Sequence, residues 1–354
     1  MIRNRRGSVL ILCFWALIIL GLLGLGISRR VDAQLRLVRY QSRKAQARYA
    51  AFAGLAYVLE QIRQDEANEQ TRDRDTLYDC GLALDGDQTP REILGDRQVG
   101  DAVFRVRRIP VAGEETQELF GLNDETARLN VNALTESNYN ILAELLEELE
   151  VPEQQAEMIA ASVIDWKDEN HIMVAEDLGA EQSYYAKLPV PYDCKNRYLE
   201  NVEELLLVRG MTPEIFERLR PYITIYPLWG SLRVNFSTAS EPVLLALARW
   251  TTGARTGAND MDAASFVRKV MDFREGADGI WGTRDDEPVT LGQQGLALNG
   301  PETAIAAALS LFHSPRSFFI RARVESEIPG SHVKSFLDAV IQTQGLAVVA
   351  MDLK

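Results

Sequence analysis

Carboxylates crowd one short stretch of this chain, Glu275-Gly276-Ala277-Asp278-Gly279-Ile280-Trp281-Gly282-Thr283-Arg284-Asp285-Asp286-Glu287. Glycines at 276, 279 and 282 let the backbone turn tightly. Acidic groups on such a loop can wrap oxygen ligands around a hard cation such as calcium, which accepts about six to eight oxygens in irregular geometry. The spacing is not that of an EF-hand loop, and an acidic solvated turn is the alternative reading. Asp165-Trp166-Lys167-Asp168-Glu169-Asn170 is a further source of ligands. Catalysis finds little to hold. The histidines, His171, His313 and His332, sit in no metal-ligand or nucleophile motif, and no glycine-rich phosphate loop follows a strand. An enzyme is not expected, and a tethered calcium-dependent hydrolase would lack a visible catalytic set.

Three cysteines are present. Cys13 lies in an apolar run, where it serves as a small apolar residue. Cys80 and Cys194 either pair, if both face an oxidising compartment, or remain two buried thiols. Glu203-Glu204-Leu205-Leu206-Leu207-Val208-Arg209-Gly210-Met211-Thr212-Pro213 has the outline of a helix-hairpin-helix, with Thr212 capping a helix that has Pro213 at its first position. That element can hold nucleic-acid phosphate on backbone amides. Its neighbours here are Glu203, Glu204, Glu214 and Glu217, which favours a packing role. The overall charge agrees. Residues 1–63 hold 11 of the 38 Lys and Arg and two of the 51 Asp and Glu, so the rest carries 27 against 49, net −22. Such a surface repels nucleic acid and anionic lipid, and no nucleic-acid partner is expected.

The element that positions all of this is the start of the chain. From Ser8 to Ser28 there is no charge, and a helix of about 20 residues spans a bilayer core of about 30 Å. Arg3, Arg5 and Arg6 precede the run, so residues 1–7 are expected in the cytoplasm and the bulk outside it. A cleaved secretory signal and a plain uncleaved anchor are the alternatives. No proline interrupts residues 8–66, and Val31, Leu35, Val38, Ser42, Ala45, Tyr49, Phe52, Ala56 and Leu59 recur at spacings of four and three. They form one seam of a continuing helix. Its C-terminal half is expected to pack on its own domain, and the half nearer the membrane on other subunits.

Asn68 to Pro90 reads as a surface connection. Ala102, Phe104 and Val106 alternate with Val103, Arg105 and Arg107 as a half-buried strand, and Phe318 to Glu325 with Val333 to Gln342, joined at Pro329-Gly330, read as a hairpin. Between the strand and the hairpin lies a mostly helical insert with an internal repeat. Leu129-Asn130-Val131-Asn132-Ala133-Leu134-Thr135 matches Leu232-Arg233-Val234-Asn235-Phe236-Ser237-Thr238, 103 residues on, and each leads into an apolar helix. The Asn, Thr and Ser there are helix-capping types, which points to structure and away from catalysis.

The basic leader, Gly7 and the apolar helix together resemble a type IV prepilin signal. With Leu12 at the fifth mature position where most such subunits have glutamate, the asparagine-rich repeats, Asp165 to Asn170, Tyr184-Tyr185, Lys195-Asn196-Arg197 and Glu203 to Pro213, the chain resembles the K-type minor pseudopilin family (GspK) of the type II secretion system. The resemblance implies an α+β fold: a pilin-like core of long transmembrane helix and antiparallel sheet, with a large α-helical inserted domain of two related subdomains. The expected division is leader 1–7, transmembrane and amphipathic helix 8–66, core 67–130 and 313–354, and insertion domain 131–312. It also implies cleavage between Gly7 and Ser8 by a prepilin peptidase, with N-methylation of Ser8, and single-pass insertion in the inner membrane through residues 8–28 with the bulk periplasmic. Expected partners are the I- and J-type minor pseudopilins and other pseudopilins at the tip of the secretion pseudopilus. Calcium in the helical domain follows from the same resemblance, with Asp278, Asp285 and Asp286 as ligands. The alternative from another class is a membrane-anchored periplasmic nucleic-acid receptor using the hairpin at Gly210.

Mass spectrometry of the membrane-extracted chain is expected to show a mature form beginning at Ser8. A chain beginning at Met1 or at Gln34 would refute processing at Gly7.

Overall fold

The computed structural model describes residues 6–110, 119–292 and 295–354, with side chains from residue 10 onward. Of the leader expected at 1–7, residues 1–5 lie outside this range, and Gly7 and Ser8 are described only as helical backbone. Helix α1 (Arg6–Ala67) is 62 residues long and unbroken. It is rich in Leu, Ala, Arg and Gln, all good helix formers, and at about 1.5 Å per residue it measures about 90 Å. The large apolar side chains from Leu10 to Ile27 are exposed along its first half. Its second half lies on a sheet.

The face that packs is not the expected seam. Ala47, Ala50, Ala51, Leu55, Val58 and Ile62 are buried, whereas Tyr49 is 74% and Phe52 39% exposed. Close approach explains the difference. A Cβ on Gly54 would meet Val324 Cγ1 at 2.5 Å and a ring carbon of Phe104 at 2.9 Å. Small residues are therefore needed where the helix sits down, and the aromatic seam turns outward.

After α1 come α2 (Pro90–Leu94), β1 (Arg97–Val99), β2 (Ala102–Arg107) and β3 (Asn123–Asp124). The insert contains β4 (Leu129–Asn130), α3 (Asn140–Glu148), α4 (Glu153–Lys167), α5 (Gln182–Tyr185), α6 (Pro213–Leu219) and β5 (Ile223–Thr224). Its second half contains β6 (Val234–Asn235), α7 (Glu241–Trp250), α8 (Asp260–Arg274), α9 (Gly300–Leu309) and β7 (His313–Ser314). The chain then returns to the sheet through β8 (Phe319–Glu327), β9 (Lys334–Gln342) and β10 (Ala347–Leu353). The sheet order is β1-β2-β8-β9-β10, with β3 also paired to β8, and every pairing is antiparallel. Ile320, Ala322 and Val324 face α1, while Arg321, Arg323 and Glu325 on the other face pair with Glu125, Asp338 and Arg107. β10 was not anticipated, because both its faces are largely exposed and so leave no polar-apolar alternation.

Residues 68–90 do not form a surface connection. Asp75, Leu77, Cys80 and Leu82 are buried, because the Asp75 carboxylate accepts the amides of Gly81 (2.9 Å) and Ser317 (2.6 Å) and so ties the loop to the sheet. Cys80 belongs to the helix-sheet core and Cys194 to the core of the insert, where its Sγ lies 3.5 Å from the Asp165 carbonyl. The Cys80–Cys194 disulfide is not formed, and both thiols are free and buried.

The insert is clamped to the sheet by a carboxylate. Asp124 accepts Thr126 N (2.7 Å), Asn235 Nδ2 (3.0 Å) and Thr238 Oγ1 (2.7 Å). Asp65 lies in the same neighbourhood. Burial first, then the Asp79 and Glu66 carboxylates, push it up to about 6, against the Thr71 hydroxyl and Arg316. A folded pKa above the unfolded value of about 3.9 means that the fold favours the neutral acid. Stability from this group is therefore full below about pH 4 and is lost as pH rises through 6. In the detergent-solubilised chain, Asp65→Asn is expected to raise the melting temperature at pH 8, by a relief of up to about 3 kcal/mol, and to leave it unchanged at pH 4. A loss of stability at pH 8 would mean that the ionised carboxylate is needed.

Candidate functional site

Each half of the insert closes on itself through a two-residue parallel pair, β4 with β5 and β6 with β7. Each begins with an asparagine turn: Asn130 Oδ1 accepts Asn132 N at 2.9 Å, and Asn235 Oδ1 accepts Ser237 N at 3.1 Å. From 130 to 235 is 105 residues, so the structural repeat is two residues out of register with the sequence match. Such a turn needs only an asparagine and the amide two residues on, and both Asn130 and Asn132 offer that.

A buried cation near the end of the second helix of each half staples the turn. Lys167 Nζ donates to the carbonyls of Val131 (3.0 Å), Asn132 (2.9 Å) and Leu134 (2.5 Å). Arg274 Nη1 donates to Phe236 (3.3 Å) and Ala239, and its guanidinium lies 3.9 Å from the Trp281 ring centroid. The pairs 131 with 134 and 236 with 239 keep the 105-residue register. Burial holds Lys167 down to about 8 and Arg274 to about 10. An acidic loop follows each cation.

The second acidic loop, 275–287, converges on a hydroxyl. Thr283 Oγ1 lies 3.0 Å from Asp278 Oδ2, 3.0 Å from the Ile280 carbonyl and 2.8 Å from Asp285 Oδ1. A hydroxyl carries one proton, so two of these three acceptors are left without a donor from it. The remaining oxygens shape the loop: Asp285 Oδ2 accepts the amides of Ala277 (2.7 Å) and Asp278 (2.9 Å), and Asp278 Oδ1 accepts Ile280 N (2.7 Å). Gly276, at φ +66°, is required because a Cβ would collide with the Asp285 carbonyl. The neighbouring cation, Arg284, pairs with Asp87 instead (2.9 Å).

Asp286 is turned elsewhere. Both its oxygens accept backbone amides, those of Gly282 (3.0 Å) and Thr283 (3.2 Å) among them, and burial pushes it up to about 7. Among the described residues no three His, Cys, Asp or Glu side chains gather as a ready-made metal cluster. A cation here would need the carbonyl and hydroxyl oxygens as well. Asp278 and Asp285 with the Ile280 carbonyl and Thr283 make a donor set that fits a hard cation. Ile280 and Thr283 went unnoticed in the sequence because a carbonyl belongs to every residue and threonine to many turns.

The hairpin at Gly210 is packed inward. The Gly210 carbonyl accepts Gln155 Nε2 (3.0 Å), a Cβ at Gly210 would meet Ile159 and Met158, and Arg209 donates to the Gly179 carbonyl (2.8 Å) while stacking on Tyr184. Its arginine is thus engaged within the insert. At the other end of the molecule Leu12 is 69% exposed on α1, the one helix among the described residues long and apolar enough to cross a membrane.

A membrane-anchoring helix that continues into an α+β core, with a helical domain inserted in the sheet, defines a membrane-anchored pilin-like protein. Residues 127–228, almost the span closed by β4 and β5, match the family model described as type II secretion system (T2SS), protein K. Type II secretion system protein K of Pectobacterium carotovorum subsp. carotovorum is 32% identical over 155 residues, 40% of this chain and 46% of the relative. The protein of the same name from Aeromonas hydrophila is 32% identical over 146 residues, 39% and 44% of the two chains. The chain thus matches less than half the length of these curated relatives. By fold it matches a chain in the crystal structure of the GspK-GspI-GspJ complex of the enterotoxigenic Escherichia coli type 2 secretion system, with TM-score 0.64 and 20% identity over 90% of this chain and 99% of that one. Over these segments the chain is similar to type II secretion system protein K.

Proposed function

We propose that this chain is a minor pseudopilin at the tip of the type II secretion pseudopilus. It would sit in the inner membrane through residues 8–28, hold its bulk in the periplasm, be cut after Gly7 by a prepilin peptidase, and join I- and J-type minor pseudopilins. The observation that carries this is the shared architecture, a pilin-like core with a helical insert, matched over nine-tenths of the chain. Its mechanism is assembly and contact, without bond chemistry. Leu12 supports the tip position. In pilin-like filaments a carboxylate at the fifth mature position neutralises the terminal amine of the adjacent subunit, and a leucine leaves such an amine unpaired at a cost of several kcal/mol in a low-dielectric core. A first subunit has no predecessor to neutralise. The insert supports the same place, since a domain of this bulk clears its neighbours where nothing lies above. The outward-facing Tyr49 and Phe52 then remain to pack against other subunits.

Antibody to the insert on sheared pseudopili is expected to label one end in electron micrographs. Label spaced along the shaft would reject the tip position.

For the insert we propose a structural calcium held by Asp278, Asp285, the Ile280 carbonyl and Thr283, with no direct part for Asp286. When bound, the ion would pin the loop and stabilise the fold by linkage. Asp285→Asn is expected to abolish a calcium-dependent rise in the melting temperature of the solubilised chain. Identical melting of the unaltered chain in calcium and in chelator would remove the site.

A further inference from the structure

Between the apolar run and its seat on the sheet, α1 carries a charge opposite to that of the rest of the molecule. Residues 29–48 hold Arg29, Arg30, Arg36, Arg39, Arg43, Lys44 and Arg48 against a single acid, Asp32, net +6. All seven basic side chains are exposed, and among the described residues none of them makes an ion pair.

The charge is concentrated on one side. Arg29, Arg36 and Arg43 recur every seven residues, and the same line runs on through Ala47, Ala50 and Gly54. Those are seating residues: Ala47 and Ala50 pack with Ala102, Ile328 and Val333, and Gly54 lies against Val324 and Phe104. At about 3.6 residues per turn, the three arginines therefore face the same side as the sheet, with Arg39 and Lys44 flanking them. The apolar seam of Val31, Leu35, Val38 and Tyr49 is offset from this line by about 200° and faces away from the sheet. From Arg29 to Ala47 the helix runs about 27 Å, the breadth of a small domain. On the membrane side of the sheet, α1 thus offers an arginine-lined flank long enough for one globular neighbour.

Membrane lipid does not account for this flank. Headgroups extend only about 5–7 Å past the hydrocarbon core, and charge is screened over about 8 Å at physiological salt. On an unbroken helix Arg39 and Arg43 stand about 17 and 23 Å beyond Ser28, out of that reach. Like charges three and four residues apart also weaken a helix, so Arg36, Arg39 and Arg43 are unfavourable in the isolated chain. Carboxylates opposite them would relieve that repulsion, and guanidinium groups fit carboxylates with two parallel hydrogen bonds.

We propose that the Arg29–Arg36–Arg43 row is a docking surface for an acidic protein face, that of the globular domain of the subunit packed on the membrane side of this chain's sheet. This rests on the reading of the chain as a filament subunit. The two sides of α1 then serve different contacts, the apolar seam meeting neighbouring helices and the arginine row meeting a neighbouring domain.

The test is co-purification of the tagged, detergent-solubilised full chain with co-expressed I- and J-type minor pseudopilins. Arg36→Glu with Arg43→Glu is expected to lower recovery of the partners by about tenfold or more, since like charges would then face each other. Arg36→Lys with Arg43→Lys is expected to keep most of it, and added salt to weaken the unaltered complex more than the charge-reversed one. If the charge-reversed chain does not fold, Arg36→Gln with Arg43→Gln reads the same loss. Equal recovery by the unaltered chain and a folded Glu or Gln variant would overturn the docking surface while leaving the subunit reading intact. Recovery of neither partner by the unaltered chain would remove both. Modification of arginine by phenylglyoxal, read by mass spectrometry, separates lipid from protein. Arg43 is expected to react in nanodiscs of phosphatidylcholine or of phosphatidylglycerol and to be protected in the complex, and protection by phosphatidylglycerol alone would reject the protein partner.

Discussion

The close seating of α1 on the sheet is the constraint on which the molecule depends. Gly54 brings the helix axis down onto Val324 and Phe104, and Ala47, Ala50 and Ala51 extend the contact. Ser326 Oγ donates to the Ala47 carbonyl at 2.6 Å at the same contact. Because α1 is one unbroken helix from the apolar run to this seat, the way it seats sets the direction in which the apolar run leaves the sheet. The insert is hung from that sheet, through Asp124 and its bonds to Asn235 and Thr238. Extra methylenes at such a contact typically cost about 1–3 kcal/mol. At Gly54 they would also tilt the anchor relative to everything it carries.

The insert solves a different problem, that of giving a helical domain of modest helix length a definite shape. Its first helices α3 and α7 pack across the two halves, and one continuous apolar core runs through both. Apolar packing alone tolerates slippage. The stapled turns do not, because Lys167 must find three carbonyls and Arg274 two. A carbonyl that loses its donor in such a place costs about 1–3 kcal/mol. Charge held by carbonyl oxygens in place of carboxylates has a consequence nearby. Neither Lys167 nor Arg274 hydrogen-bonds a carboxylate of the acidic loop that follows it.

Much of this organisation is legible in the residues themselves. The uncharged run after three arginines, the alternation in β2, β8 and β9, and the absence of proline from 8 to 66 each depend on near neighbours in the chain. So did the recognition of two related halves and of the acidic loop with Asp278 and Asp285. What went astray depended on residues far apart. The 103-residue match follows side-chain likeness, while the 105-residue register follows which carbonyls Lys167 and Arg274 reach. Cys80 and Cys194 read equally well as a pair or as two buried thiols, and the chain builds them into two different cores.

By itself, then, the sequence determined an anchor, a sheet, an inserted helical domain with a repeat, and an excess of carboxylate. These are properties of composition and local periodicity, which the backbone must obey wherever the segments end up. Only the tertiary structure decided which face of α1 is buried, that residues 68–90 fold inward, and that Asp286 turns away from Asp278 and Asp285. The first two are set between distant segments, by Gly54 against Val324 and by Asp75 with the Ser317 amide, and the third by Asp286 taking the amides of Gly282 and Thr283. A periodic pattern fixes how a segment folds locally, but not what its polar atoms meet once the segments are packed together.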